Sequence, residues 1–363
     1  VRPNTYPMVL DDSQEIARLD PGGMLGLVLR LGAMTVEGWE AASDLALTPV
    51  SPCAVIVSGM GGSGIGGDLL RALLAPTAAV PVITVKDYRL PAFVGRDTLI
   101  FACSYSGNTE ETLAAYKEAH AAGAAVVAVT SGGTLAGLAA CDGHPVVRVP
   151  PGLPPRAALP YMLMPLLRIT DRLGVSGVTD PEVRDSEVRE AAAVLGELAV
   201  RWGPEAHSGG NPTKALAAAL KDAVPVVYAS SSQLEPVAQR WKTQLNENSR
   251  VFACWNAFPE INHNETVGWE GIRGGNPRLH AVLLRDRDEG ARNALRVEIT
   301  RELLERRADG VTEVWSQGTA LLARLLSLIL FGDLVSVYLA LLTAVDPTPV
   351  EIISEIKRRM GGR

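Results

Sequence analysis

The sequence predicts an α/β fold: two doubly wound parallel sheets, preceded by a helical N-terminal segment and followed by a C-terminal helix. Three observations lead there. From residue 53 onward, short β-branched runs alternate with helix-period stretches, the pattern of parallel strands joined by right-handed helical crossovers. The unit of strand, small-residue turn and helix at 53–74 recurs at 223–245, a weak internal duplication. A chain of 363 residues also has the length of about two ordinary domains.

Taken in order, residues 1–50 read as helical, with helix-start chemistry in DDSQEIARLDPGG and helix-period apolar positions in GMLGLVLRLGAMTVEGWEAASDL. A first α/β domain over 51–153 follows. Its strands are expected in CAVIVSG (53–59), VPVITVKD (80–87), TLIFACS (98–104), AAVVAVTS (124–131) and HPVVRVP (144–150). A helix is expected in DLLRALLA after the first strand, and another in NTEETLAAYKEAHAAG, ended by Gly123. Residues 154–213 form a proline-rich connection and long helices, through Leu173 and from Pro181 to Trp202. The second α/β domain, 214–345, has strands in AVPVVYASSS (223–232), RVFACW (250–255), RLHAVLLR (278–285) and VTEVWS (311–316). Its helices lie in LEPVAQRWKTQLNEN and ARNALRVEITRELLERR. A DPTPV turn and the helix EIISEIKRRM complete the chain over 346–363.

Bulk properties narrow the function. Composition is globular, 47% hydrophobic and 20% charged, and the net charge of −6 supplies no basic field for a nucleic-acid backbone. The four cysteines show no metal-ligand spacing, and Cys53, Cys103 and Cys254 sit in apolar, strand-like runs where a core position is expected. The stretch 320–345 is apolar enough to raise a membrane span, but Arg324 and Asp333 interrupt it, so a buried core helix is expected. With no leader-like pattern in VRPNTYPMVLDD, a cytoplasmic protein is expected, without membrane or nucleic-acid partners.

Three stretches carry chemistry. In GMGGSGIGGD (59–68), Gly62, Gly64 and Gly67 satisfy G-x-G-x-x-G between a strand and a helix, and Asp87 lies 20 residues on. A dinucleotide-dependent oxidoreductase is therefore one reading. The glycines are also what any anion needs for close backbone approach at a helix N-terminus. In SYSGNTEET (104–112), Ser104, Ser106 and Thr109 spread three hydroxyls around a Gly-Asn turn where a helix begins. Hydroxyls with unpaired backbone N–H groups make a phosphate pocket without a lysine, although the same residues also build ordinary turns and caps. A dinucleotide fold gives no reason for this cluster, which favours a phosphorylated small molecule. The third stretch, Leu245–Trp269, sets Glu247 and His263 each between two asparagines, among Phe252, Trp255, Phe258 and Trp269. Asparagines can orient a neighbouring acid or imidazole, and aromatics can exclude water and shift its pKa. A polar loop with an incidental histidine is the competing reading.

Together, GMGGSGIGGD and SYSGNTEET resemble the first half of a sugar-isomerase (SIS) domain pair, and NENS with PEINHNE resembles the bifunctional phosphoglucose/phosphomannose isomerase branch of the phosphoglucose isomerase superfamily. The resemblance runs from about Gly59 to the C-terminus. It implies flavodoxin-like SIS domains and reversible aldose–ketose isomerisation of hexose 6-phosphates through a cis-enediol. It also implies that Ser104, Ser106 and Thr109, with Gly61, Gly62 and Ser63, hold the 6-phosphate. By the same carry-over Glu247 shuttles the proton between C1 and C2. His263 opens the sugar ring and is supplied across a homodimer interface. Arg156 stabilises the enediolate, Lys357 lies near the ring oxygen, and Thr348 leaves room for either C2 epimer. A non-catalytic sugar-phosphate-binding protein on the same fold would need the serine turn but not Glu247, His263 and Arg156 together.

The chemistry asks for the same residue types. Removing a proton beside a carbonyl needs a partly buried carboxylate of raised pKa, the enediolate needs a cation that stays charged, and ring opening needs an acid that titrates near neutrality. No cofactor and no metal are expected. His120, His144, His207 and His280 are expected at surface or structural positions.

Overall fold

The structure is a computed structural model and describes residues 9–272 and 277–361. The first eight residues of the expected helical segment, and with them most of the stretch read for a leader, lie outside the described residues. The chain divides into two compact units that are not contiguous in sequence. One comprises Arg30–Gly196 with Gln317–Leu326. The other comprises the described residues up to Leu29, Glu197–Ser316, and the chain from Ser327 onward.

The first unit holds a five-stranded parallel sheet of order β2-β1-β3-β4-β5, with β1 Ala54–Ser58, β2 Val82–Val85, β3 Thr98–Cys103, β4 Ala125–Thr130 and β5 Val146–Arg148. Every residue of β1 and β3 is buried, as expected where helices cover both faces and β-branched side chains fill them. The chain passes from β1 to β2 on one side and then to β3 on the other. The strand order thus reverses between β1 and β3, and in doubly wound folds ligands bind outside the strand ends at that point. Helices α1 (Ser13–Leu19), α2 (Met24–Leu29) and α3 (Leu31–Glu40) precede this sheet in the chain. Helices α4 (Gly61–Leu74), α5 (Glu110–Ala121) and α6 (Gly133–Cys141) follow β1, β3 and β4. Beyond the sheet come α7 (Leu159–Arg172) and α8 (Pro181–Trp202).

The other unit repeats the plan in four strands, order β7-β6-β8-β9, with β6 Val224–Ala229, β7 Cys254–Ala257, β8 Leu279–Arg285 and β9 Gly310–Trp315, all parallel. Its helices are α9 (Pro212–Leu220), α10 (Glu235–Ser249) and α11 (Ala291–Leu304). Helix α12 (Leu321–Leu342) begins among the residues assigned to the first unit and continues in this one, and α13 (Glu351–Gly361) is the last helix. Both sheets are therefore doubly wound.

The expectation for α12 also holds. By length and apolarity it could cross a membrane, yet the whole of its most apolar 18-residue window is buried. Its polar residues are spent on helix packing. Asp333 pairs twice with Arg240 of α10, at 3.1 and 2.6 Å, and both side chains are 3% exposed. Trp241 Nε1 donates to the Leu328 carbonyl, and its ring stacks on Phe331 over the bare Cα of Gly332.

Several expectations need correction. The strand read at 250–255 begins four residues later, because α10 runs to Ser249 and Arg250 ends it in the left-handed conformation, leaving 251–253 as a connector. Helices α6 and α9 were not expected; GTLAGLAAC and PTKALAAAL are alanine-rich with little polar contrast, so their periodicity is faint. Of the three cysteines expected in the core, only Cys103 is buried. Cys53 precedes β1 and Cys254 opens an edge strand, and both are exposed.

Candidate active site

In the first unit, the residues after β1 and β3 flank the switch point. Ser104, at the end of β3, is buried, and its Oγ accepts from the backbone N–H of Gly107 at 3.0 Å and of Thr109 at 3.4 Å. The same oxygen lies 2.9 Å from Thr109 Oγ1. Gly107 has φ +70°, and a Cβ there would stand 1.9 Å from the Gly132 carbonyl oxygen, so only glycine allows the turn to close. Thr109 is the N-cap of α5, with no side-chain capping bond, and Ser106 is exposed at the tip. The turn thus sets the Ser106 and Thr109 hydroxyls beside the N-terminus of α5, a place that favours an anion.

The glycine run joins this turn from the neighbouring strand. Ser63, buried in the first turn of α4, accepts from the Tyr105 N–H at 3.2 Å and lies 3.5 Å from Met162 Sδ. Its hydroxyl therefore supports the serine turn from below. Gly61 has φ +50° and open space where a Cβ would be. Gly62 has none: a Cβ would lie 2.7 Å from the Pro155 carbonyl oxygen and 3.2 Å from the Arg156 Cα. Arg156 is itself 4% exposed, in a single 3-10 turn. The structure thus brings the glycine run, the serine turn and the Arg156 turn together.

The dinucleotide reading does not survive this geometry. Gly62, Gly64 and Gly67 lie inside α4 rather than in a turn before it. A Cβ on Gly64 would meet the Gly59 carbonyl oxygen at 2.5 Å, and one on Gly67 the Val57 side chain at 2.7 Å. The space beside these two glycines is filled by the protein's own backbone and core. Asp87 accepts from the N–H of its neighbour Tyr88.

In the other unit, Glu247 lies one turn after Thr243 near the C-terminal end of α10, and both line a cavity of about 660 Å³ with Asn246, Arg250, Pro349 and Ile353. Glu247 is half-buried. Its flanking asparagines do different work from the orienting role expected. Asn248 donates to Ser336 Oγ at 2.9 Å and Ser249 to the Ser336 carbonyl at 2.6 Å, so the NENS stretch bolts α10 to α12. Asn246 lines the cavity, and its Oδ1 is buried without a hydrogen-bond partner. Lys357 is exposed on α13, one helical turn beyond Ile353, and so follows the helix flank that lines the cavity. Thr348 packs instead against the N-terminal segment: a Cβ on Gly22 would come within 2.2 Å of its Oγ1.

His263 ends a 3-10 turn, Glu260–His263, and is exposed. It is not among the residues lining the Glu247 cavity. The asparagines beside it hold the turn and not the ring, Asn262 donating to Thr300 Oγ1 at 2.9 Å and Asn264 to Glu260 Oε1 at 2.7 Å. Glu265 accepts from Tyr228 Oη at 2.7 Å and from Asn256 at 2.5 Å, while Trp269 Nε1 donates to Tyr228. Burial and then Glu265 push the Tyr228 phenol far above its ordinary range. Of the expected aromatic interval, Phe258 and Trp269 are core, Trp255 is half-buried and Phe252 is 71% exposed. The other histidines have structural surroundings. His120 and His144 share a 2.9 Å hydrogen bond, His207 accepts from the Gly209 N–H, and His280 is buried against Thr312 Oγ1 at 2.9 Å.

Sequence reasoning passed over Thr243 and Arg250. Thr243 was within reach, since a residue four before Glu247 on a helix shares its face. Arg250 was not, because its place depends on carbonyls 96 and 99 residues away.

Two flavodoxin-like sheets, with a hydroxyl-rich turn and a helix N-terminus at the switch point of the first, define a sugar-isomerase (SIS) protein. Residues 210–360 match the model of the bacterial phospho-glucose isomerase C-terminal SIS domain. The chain is similar to the bifunctional phosphoglucose/phosphomannose isomerase of Caldicellulosiruptor bescii, 44% identical over 84% of this chain and 89% of that protein. It is also similar to the enzyme of the same name from Aquifex aeolicus, 37% identical over 89% of this chain and 94% of that one. Among solved structures, a glucose-6-phosphate isomerase-like protein from Thermus thermophilus shares the fold, with a TM-score of 0.61 at 23% identity, covering 95% of this chain and 99% of that chain. This chain belongs to the bifunctional phosphoglucose/phosphomannose isomerase family.

Proposed function

We propose that this protein interconverts glucose 6-phosphate and mannose 6-phosphate with fructose 6-phosphate by proton transfer through a cis-enediol. The observation that carries the reading is Glu247. It is a half-buried carboxylate on the wall of a cavity of about 660 Å³, placed there by a helix that Asn248 and Ser249 anchor. As base, it takes the proton from the carbon beside the carbonyl and returns it to the neighbouring carbon. Ser104, Ser106 and Thr109, with the amides around them and with Gly61, Gly62 and Ser63, hold the phosphate. Arg156 offsets the charge on the enediolate oxygens, as a guanidinium does without losing its proton. His263 opens the ring from a partner subunit of a homodimer, which fits its exposure and its absence from the residues lining the Glu247 cavity. Lys357 attends the ring oxygen, and Thr348 contributes to tolerance of both C2 epimers through the turn it belongs to. The reaction belongs in the cytoplasm, at the entry of hexose phosphates to glycolysis and their return in gluconeogenesis.

The test supplies fructose 6-phosphate and follows glucose 6-phosphate and mannose 6-phosphate by separate coupled assays. Both should form, and formation of neither would overturn the reading. In Glu247→Gln, turnover should fall by at least ~10³-fold while substrate still binds, because the amide cannot accept the proton. Near-normal turnover in that variant would remove Glu247 from the base role.

A further inference from the structure

We propose that Arg250 is a positioning residue for Glu247, clamping the last turn of α10 to the turn that leads into α13 and so keeping one wall of the base's cavity closed. The inference rests on the isomerase reading for its consequence, but not for its geometry. Arg250 is the C-cap of α10, with φ 58° and ψ 28°, the left-handed conformation that glycine adopts freely and an L side chain resists. Its backbone N–H closes the helix on the Leu245 carbonyl. Its guanidinium donates to the Glu247 carbonyl through Nη1. Through Nη2 it donates to the Pro349 carbonyl and, at 3.4 Å, to the Asp346 carbonyl. The turn it grips is folded on itself, Asp346 Oδ1 accepting from the Thr348 N–H at 2.9 Å.

All three acceptors are backbone oxygens of two segments far apart in sequence. The guanidinium's fixed fork of donors reaches both segments at once. Arg250, Pro349 and Val350 line the same cavity as Glu247, with Ile352 and Ile353 of the first turn of α13 completing the wall. A left-handed arginine is therefore kept at a place where glycine would end the helix more easily, and what the arginine adds is the clamp. During isomerisation the protonated Glu247 either returns the abstracted proton to the neighbouring carbon or first exchanges it with water. A wall held shut favours return, and a loosened one favours exchange.

The test uses the full-length protein and the substitution Arg250→Gly, which retains the left-handed cap and removes the guanidinium. Amide hydrogen exchange over 346–353 should rise by roughly tenfold or more while the thermal midpoint stays at or above the wild-type value. With glucose 6-phosphate deuterated at C2, the wild type should carry part of the deuterium to C1 of fructose 6-phosphate, and Arg250→Gly should carry much less. Its kcat should fall roughly 10- to 100-fold, with a smaller change in KM. Arg250→Lys should lie between, and free guanidinium ion should restore part of the Arg250→Gly loss. Unchanged amide exchange over 346–353 in Arg250→Gly would overturn the clamp whatever the enzyme's activity. Unchanged kcat and deuterium transfer in an active enzyme would overturn its role for Glu247. A wild type inactive on both aldose phosphates but with the predicted exchange would instead sink the isomerase reading and leave the clamp standing.

Discussion

Ser104 shows how much one hydroxyl can organise. Its oxygen collects two backbone N–H groups and the Thr109 hydroxyl within a turn that Gly107 alone can make. In Ser104→Ala these buried donors lose their acceptor, which costs about 1–3 kcal/mol of stability. The KM for hexose 6-phosphates should rise more than ~10-fold, by the same loss of hydrogen bonding to a charged ligand. Inorganic phosphate, tested as a competitive inhibitor, should weaken in parallel; inhibition at the wild-type level would separate Ser104 from the phosphate. His280 offers a residue-scale reading of pH. Burial first, and then Arg278, lowers its pKa below the ordinary 6.5, so the folded chain holds it neutral while the unfolded chain protonates it near 6.5. Its contribution is complete above pH 6.5 and is lost as pH falls through the lowered value. Urea midpoints measured at pH 7.5 and pH 5 should drop less in His280→Gln than in the wild type, and an equal drop would contradict this assignment.

Among the elements, α10 and α12 form the frame on which Glu247 is mounted. Arg240 and Asp333 are a bidentate pair shut away from water, and removing either partner leaves a buried charge without compensation. Asp333→Ala should destabilise the unit that contains it by about 3–5 kcal/mol, read as a fall in urea midpoint. A change below ~1 kcal/mol would mean that water reaches the pair. Helix α4 and the Arg156 turn make a second such contact. Alanine at 62 would gain about 1 kcal/mol in intrinsic helix propensity, but its Cβ lands 2.7 Å from the Pro155 carbonyl oxygen. Steric displacement of Arg156 should outweigh that gain, so Gly62→Ala is expected to lower kcat at least ~10-fold. A variant of unchanged kcat would show that the Arg156 turn yields harmlessly.

At the scale of the whole molecule, the homodimer proposed above raises the question of which subunit supplies His263. Glu247→Gln and His263→Ala should each be nearly inactive as homodimers. When the two are mixed and allowed to exchange subunits, each heterodimer gains one site with both residues intact if the histidine crosses the interface. Random exchange then restores roughly a quarter of wild-type activity, since half the dimers are mixed and each has one good site. No recovery after verified exchange would place His263 in its own subunit's site.

Much of this was legible in the chain. The alternation of β-branched runs with helices is a local signal, and every strand of the first sheet fell within its expected run. The serine turn, Glu247 and His263 were visible as residue types in short stretches. What stayed hidden depended on contacts remote in sequence. The glycine run satisfied a dinucleotide pattern, and only the Pro155 and Gly59 carbonyls beside it showed that its free volume is filled from within. The asparagines of NENS and PEINHNE suggested tuning of an acid and an imidazole, yet Asn248 and Asn262 reach Ser336 and Thr300, partners no local window contains. Cys53 and Cys254 turned out exposed, one just ahead of a strand and the other at the start of an edge strand, because burial depends on where in the sheet a run sits. The sequence by itself determined the fold class, the family and the chemical cast, since periodicity and motif are written in neighbouring residues. The tertiary structure alone decided that Glu247 has a cavity to act in and that Arg250 closes its wall, because hydrogen bonds between segments some hundred residues apart exist only once the chain has folded.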